Sequence, residues 1–303
     1  MTLLQRLWVY QAERFPLVKT VPLLACFSAA SITLSAVLAA RPLPGFSAYL
    51  IGFFLVFILF FQLRVADEVK DGEDDAKYRP ERPIPRGLVT LRLIVSLGSA
   101  TLPVGIILAL MHGAGLIWLL LLVWAWLTAM TFEFGVPAWL KARPVVYLLS
   151  HMAIMPLIDL MLTGVEWLPH GTAAPALWLF IALSFSNGCV LEIGRKLWAP
   201  DNERVGVDTY SRLWGPRRAA MIWLAFVAAS AALLIGIGIA TGFAFAFVLI
   251  ALLGFSFCTL MARRYAAMPT PKAETRMDTL AGMWVFGCYA TAGFLPLALG
   301  GLP

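Results

Sequence analysis

Residues 46–87 read FSAYLIGFFLVFILFFQLRVADEVKDGEDDAKYRPERPIPRG. From 46 to 66 the only charged residue is Arg64. Roughly 20 apolar residues in a helix cross the hydrocarbon core of a bilayer. The next stretch, Asp67 to Glu81, holds seven of the chain's 17 acids. An apolar span running straight into a dense acidic segment is the unit from which the fold is read.

Working outward, the 303 residues are 61% hydrophobic and 13% charged. A soluble domain is about 45–50% apolar and about a quarter charged, so a water-soluble enzyme is excluded. Apolar runs long enough to span lie at 19–40, 46–66, 91–111, 115–133, 144–164, 174–195, 217–235, 238–262 and 279–300. Short joins at Met111-His112-Gly113-Ala114-Gly115 and at Gly236-Ile237-Gly238 suit hairpins of antiparallel helices. The composition therefore predicts an all-α integral membrane protein, a bundle of nine transmembrane helices forming one domain over 1–303.

Lysine and arginine test that count independently. With the N-terminus in the cytoplasm, the segments 1–18, 67–90, 134–143, 196–216 and 263–278 with their bordering span ends collect 22 of 23 basic residues. Only Arg41 falls outside. The positive-inside rule thus predicts the N-terminus in and the C-terminus out. The expected location is a bacterial-type inner membrane, with the polar loops facing the cytoplasm. A net charge of +6 then reads as topology signal and contact with anionic lipid of the bilayer, not as nucleic-acid binding.

Cys26, Cys189, Cys258 and Cys288 lie inside apolar runs without CxxC spacing, so neither a disulfide framework nor a zinc site is expected. Three histidines leave little for a histidine-rich metal centre. Arg6, Glu13, Arg14 and Lys19 precede the first apolar run, which does not read as a cleavable signal peptide.

Asp67, Asp71 and Asp75 recur every fourth residue and share one face if the helix continues past the membrane surface. Each step rises about 6 Å, so neighbours can share an ion and the outer two cannot easily do so. Like charges at this spacing destabilise a bare helix and call for a cation. Carboxylate oxygens suit Mg²⁺, which completes its shell with water and phosphates. Arg64, Lys70, Lys77, Arg79, Arg82 and Arg86 stand in the same stretch. Acids to hold a metal and bases to hold phosphate charge are what a Mg²⁺-diphosphate needs.

The run Asp67-x-x-x-Asp71-x-x-x-Asp75 followed by Arg79-Pro80-x-Arg82-Pro83-Ile84-Pro85-x-Gly87 resembles the first signature of the UbiA-type intramembrane prenyltransferases, NDxxDxxxD then PxRPIPxG. Asp67 stands where that family usually has asparagine, and Glu68 where it often has aspartate. The family's nine-helix architecture agrees with the count above. The resemblance implies Mg²⁺ as cofactor and an isoprenyl diphosphate as substrate.

Family members carry a second acidic motif, commonly DxxxD with a GxxT-like ending. Here the sixth span ends at Glu192 with Arg195 and Lys196, and the loop continues through Asp201 to Gly206-Val207-Asp208-Thr209. Glu192 lies near the motif's first acid, but Arg195 and Lys196 replace further carboxylates. They either share the diphosphate charge, read an anionic acceptor, or mark topology alone. Within the fifth span, His151 and Asp159 fall on roughly one face, and Asp159 sits mid-span where an ionisable group is costly. With Asn187 they are candidates for an acceptor pocket, Asp159 alternatively being hydrogen-bonded within the bundle. Glu133 reads as an interfacial residue.

The expected activity is Mg²⁺-dependent transfer of a prenyl group to a hydrophobic or anionic acceptor. Asp67, Asp71, Asp75, Glu192 and Asp201 would serve the metal. Arg64, Lys77, Arg79, Arg82, Arg195 and Lys196 would serve the diphosphate. A cyclase working by the same ionisation without an acceptor is the alternative. A transporter using His151 and Asp159 is another, but both polar loops lying on one face fit it poorly.

Overall fold

The computed structural model of the chain describes residues 1–300, and every regular element among them is helical. The main helices are α1 (Leu3–Arg14), α2 (Leu17–Leu38), α3 (Phe46–Lys70), α4 (Gly72–Tyr78), α5 (Leu91–His112) and α6 (Ala114–Thr131). They continue with α7 (Pro137–Lys141), α8 (Pro144–Met152), α9 (Ile154–Trp167), α10 (Leu177–Gly194) and α11 (Tyr210–Trp214). The chain closes with α12 (Pro216–Ala240), α13 (Ala244–Ala267) and α14 (Pro271–Ala298). Taking α8 and α9 as one broken span, nine helical segments among the described residues are long and apolar enough to cross a membrane. Helices satisfy their own backbone in lipid, which is why these apolar runs take no other form.

Side chains such as Trp118, Phe245 and Leu253 remain exposed on the outside, as a bilayer solvent permits, while Ile32, Phe180 and Trp223 are fully buried. α2 and α10 are the most enclosed spans. α2 packs on α3, α9 and α14, and α10 on α9, α12 and α14. Small residues set these crossings. A methyl group on Gly293 of α14 would lie 2.5 Å from the Cα of Ala30 on α2, so the two backbones touch there.

Buried polar groups pin the same helices. Asp159 is completely enclosed and accepts hydrogen bonds from Ser31 Oγ of α2 (2.7 Å) and Tyr289 Oη of α14 (2.5 Å). Glu166, on the same face two turns along α9, accepts from Ser35 Oγ (2.7 Å) and Arg41 Nη1 (3.2 Å). Every such carboxylate inside a membrane must be partnered, and both of these are.

Three details differ from the sequence reading. The seventh and eighth spans do not turn at Gly236-Ile237-Gly238. α12 runs through it to Ala240, and the turn falls at Gly242, whose φ of +82° favours glycine. Gly238 instead admits Phe247 of α13, whose ring carbons would overlap any added Cβ. The fifth span is broken at Ala153, so His151 and Asp159 stand on separate helices. Finally, residues 3–14 form a helix capped by the reciprocal Thr2 and Gln5 bonds, with Leu4 and Trp8 exposed and Tyr10 buried. Such an amphipathic helix suits a membrane interface.

Candidate active site

Both acidic segments fold over the same end of the bundle. α3 stops at Lys70, and α4 restarts after Asp71, yet the i to i+4 backbone bonds Asp71 N–H to Asp67 O and Asp75 N–H to Asp71 O persist (2.9 and 2.8 Å). The three aspartates therefore keep their common face across the junction. Their environments differ sharply. Asp75 is buried and occupied by Arg79 Nη1 (3.3 Å) and Arg82 Nη1 (2.5 Å). Asp67 is half-exposed, with Arg64 Nη1 at 3.3 Å. Burial raises the Asp71 carboxyl above the ordinary range; Lys70 and Lys196 pull it back, and Asp67 and Asp75 push it further up. Crowded carboxylates of this kind favour a cation.

Glu68 points the other way. It is buried beneath α1, where Arg14 Nε (2.6 Å) and Tyr10 Oη (3.4 Å) donate to it. Arg86 pairs with Glu13 of the same helix at 2.7 Å. The interfacial helix is thus clamped to both ends of the acidic segment.

Glu192, at the end of α10, is buried and ion-paired to Arg195 and to Lys196, the latter at 3.0 Å. Arg195 also feels the charge of Asp67, as Lys196 does that of Asp71. Both cations are thus paired to Glu192 and within electrostatic reach of the first acidic segment. The loops themselves meet: the Tyr78 ring covers Gly206, and Arg204 Nη1 reaches Glu81 at 3.2 Å. Gly206 has a φ of +79° and no room for a Cβ against that ring. Beyond it, Thr209 caps α11, and Glu203 accepts from Thr209 Oγ1 (2.6 Å) and Ser211 Oγ (2.8 Å).

The remaining candidates scatter. Lys77 is exposed, its Nζ 4.9 Å from the Tyr78 ring centroid. Asp201 is exposed and makes no ion pair among the described residues; its neighbour Asn202 is tied to Glu274 of α14 at 2.8 Å. Asp159 is locked in the bundle as described. Asn187 is buried with neither side-chain amide atom hydrogen-bonded. His151 faces the acidic end and joins a group that the sequence does not assemble: Lys70, Glu133 and Tyr147. Lys70 Nζ donates to Tyr147 Oη at 2.6 Å, Tyr147 Oη lies 3.3 Å from Glu133 Oε1, and the His151 ring stacks on Tyr147 at 3.9 Å. Tyr147 and His151 share a helix face by their spacing, a signal present in the sequence.

Among the described residues no three carboxylates, histidines or cysteines converge to enclose a metal alone. Asp71, with Asp67, which carries one arginine at 3.3 Å where buried Asp75 carries two, still fits an ion that takes one or two carboxylates and fills its shell from phosphate and water.

The UbiA prenyltransferase family model matches residues 27–286. None of the curated protein sequences matches. Two solved structures are similar. One concerns a digeranylgeranylglyceryl phosphate synthase in membranes, with a TM-score of 0.62 and 15% identity over 98% of this chain and 99% of that one. The other is the apo form of a UbiA homologue from Aeropyrum pernix K1, with a TM-score of 0.67 and 17% identity over 87% of this chain and 96% of that one.

Proposed function

The chain belongs to the UbiA prenyltransferase family, an integral membrane prenyltransferase by that membership, and from this premise we propose that it moves a prenyl group from an isoprenyl diphosphate to an acceptor at the acidic end of the bundle. The reading is supported by the meeting of the two loops through Tyr78–Gly206 and Arg204–Glu81, which brings Asp67 and Asp71 on one segment within electrostatic reach of Arg195 and Lys196 on the other. Mg²⁺, held by Asp67 and Asp71, would supply charge neutralisation of the departing diphosphate. Arg195 and Lys196, anchored on Glu192, present charge-assisted donors to the same group. Arg79 and Arg82, aligned by Asp75, do so from the first segment.

Fixed cations cost no reorganisation as negative charge develops on the leaving oxygen, so their contribution falls on the transition state. The Tyr78–Gly206 contact closes the two loops over one another and supports exclusion of water from the cation that ionisation leaves. Asp201, exposed and without an ion pair among the described residues, is given no role in this constellation. The positive-inside pattern supports a site facing the cytoplasm from an inner membrane. The digeranylgeranylglyceryl phosphate synthase likeness directs attention to long prenyl chains and phosphate-bearing acceptors.

The test is incubation of the purified protein with geranyl, farnesyl and geranylgeranyl diphosphates, Mg²⁺ and a pooled set of acceptors, read by mass spectrometry. A prenylated acceptor is the expected product. Cyclised hydrocarbon with no acceptor adduct would replace transfer by the cyclase reading.

A further inference from the structure

Glu133 and Phe134, between α6 and α7, both adopt left-handed backbone, with φ of +50° and +53°. Neither is glycine, and such strained backbone persists only where the surrounding structure holds it. What the turn achieves is to drive the Glu133 carboxylate inward, where the residue is 6% exposed. There it meets Lys70 of α3 (3.7 Å) and Tyr147 and His151 of α8. Phe134 closes on the His151 ring edge-on at 6.0 Å.

The hydrogen bonding of this group is directional and incomplete. His151 Nδ1 lies 2.9 Å from the carbonyl oxygen of Tyr147, which only accepts, so Nδ1 carries the proton. Nε2 is then a bare lone pair. It is buried without a hydrogen-bond partner, as is Glu133 Oε2, and the two face each other at 3.6 Å. Two buried acceptor atoms thus face each other without a hydrogen bond to either, an arrangement that leaves both unsatisfied. Tyr147 is the half-buried end of the chain. Lys70 donates to its oxygen, leaving its own hydroxyl proton directed at Glu133 Oε1. Asp71 bears electrostatically on Tyr147, and Asp67 and Glu192 on His151, so the group borders the diphosphate end.

We propose that Tyr147, Glu133 and His151 form a proton-accepting relay for the acceptor, and that the acceptor is therefore a protic nucleophile, an alcohol or phenol, rather than an aprotic alkene. This rests on the prenyl-transfer reading above. As the bond from carbon to the diphosphate oxygen breaks, the electron pair leaves with diphosphate. The acceptor oxygen bonds to that carbon and gives its proton to the Tyr147 oxygen, while the Tyr147 hydroxyl proton passes to Glu133 Oε1. The proton rests on Glu133, whose other oxygen faces the unprotonated Nε2 of His151. Lys70 is a positioning residue that fixes which way the Tyr147 hydroxyl points.

The experiment separates ionisation from coupling. Wild type, Tyr147→Phe, Glu133→Gln and His151→Gln are reconstituted in nanodiscs with geranylgeranyl diphosphate and Mg²⁺. Each is given a hydroxybenzoic acid, a dihydroxynaphthoic acid or a glycerol phosphate ether lipid with a free hydroxyl. Diphosphate release and prenylated product are measured in the same tubes. The relay predicts that coupling falls by about a hundredfold in Tyr147→Phe and Glu133→Gln while diphosphate release falls less than about fivefold, the excess being diverted to prenyl alcohol. Parallel loss of both, or retained coupling in Tyr147→Phe, the variant least disruptive to packing, would overturn it. Wild type that releases diphosphate but prenylates none of the three would overturn it too. Wild type that releases no diphosphate at all would instead remove the prenyl-transfer reading beneath it.

Discussion

Replacing Asp71 with alanine removes a carboxylate at the junction of α3 and α4 that takes part in no core packing. Turnover is expected to fall by about a hundredfold or more, the scale of losing one electrostatic contact to a transition state. The Tm should move little, and chromatography with a thermal scan checks that the loss is chemical. Arg195 and Lys196 behave differently because Glu192 between them is buried. Changing both to glutamine leaves that buried carboxylate without its cations, which are themselves a half and a third exposed, at a cost of about 1–3 kcal/mol. Adding Glu192→Gln should restore the Tm without restoring turnover. If the double variant is fully stable and active, both cations return to marking topology. At this scale Asp67, Asp71 and Asp75 are legible in the sequence, because a four-residue repeat of like charges crowds one helix face and calls for a cation. Their separate fates are not, since the arginines that occupy Asp75 reach it through the fold of the following turn. Glu133 reads as interfacial from sequence, because nothing local announces that two left-handed residues turn it inward.

Helices carry the next set of expectations. Gly238→Ala would drive a methyl group into Phe247 and should destabilise by about 1–3 kcal/mol through overpacking. Gly236→Ala, whose nearest neighbour is a flexible Leu179 methyl at 3.4 Å, should be tolerated. Thermal shift in detergent distinguishes them; equal effects would mean that the α12–α13 crossing is not set at Gly238. Apolar length makes the spans themselves readable, since lipid leaves a long hydrophobic run no alternative to helix. The displaced turn has a physical cause. A glycine pair marks a tight turn and a close helix crossing equally well, and only the facing Phe247 decides between them. The helix at Leu3–Arg14 has its signal in the Thr2-x-x-Gln5 capping box.

For the molecule as a whole, the charge asymmetry makes a topological statement. A cysteine at Gly72 should resist impermeant thiol reagents applied to intact cells, while one at Ala173 should react. Labelling at 72 from outside would reverse the orientation. The structure places these positions at opposite ends: residue 72 at the start of α4, just past α3, and the 170–173 segment where Arg41 bonds the Thr172 carbonyl at 3.0 Å. The gathering of both polar segments at one end, joined through Tyr78 and Gly206, supports the proposal that diphosphate chemistry takes place there. The most direct measurement is diphosphate release from geranylgeranyl diphosphate by the purified protein in nanodiscs, with Mg²⁺, with EDTA, and after Mg²⁺ is restored. Metal-assisted ionisation at Asp67 and Asp71 predicts release that stops on chelation, returns with Mg²⁺, and is absent in Asp71→Ala. Release that proceeds unchanged in EDTA, or in Asp71→Ala, would contradict it.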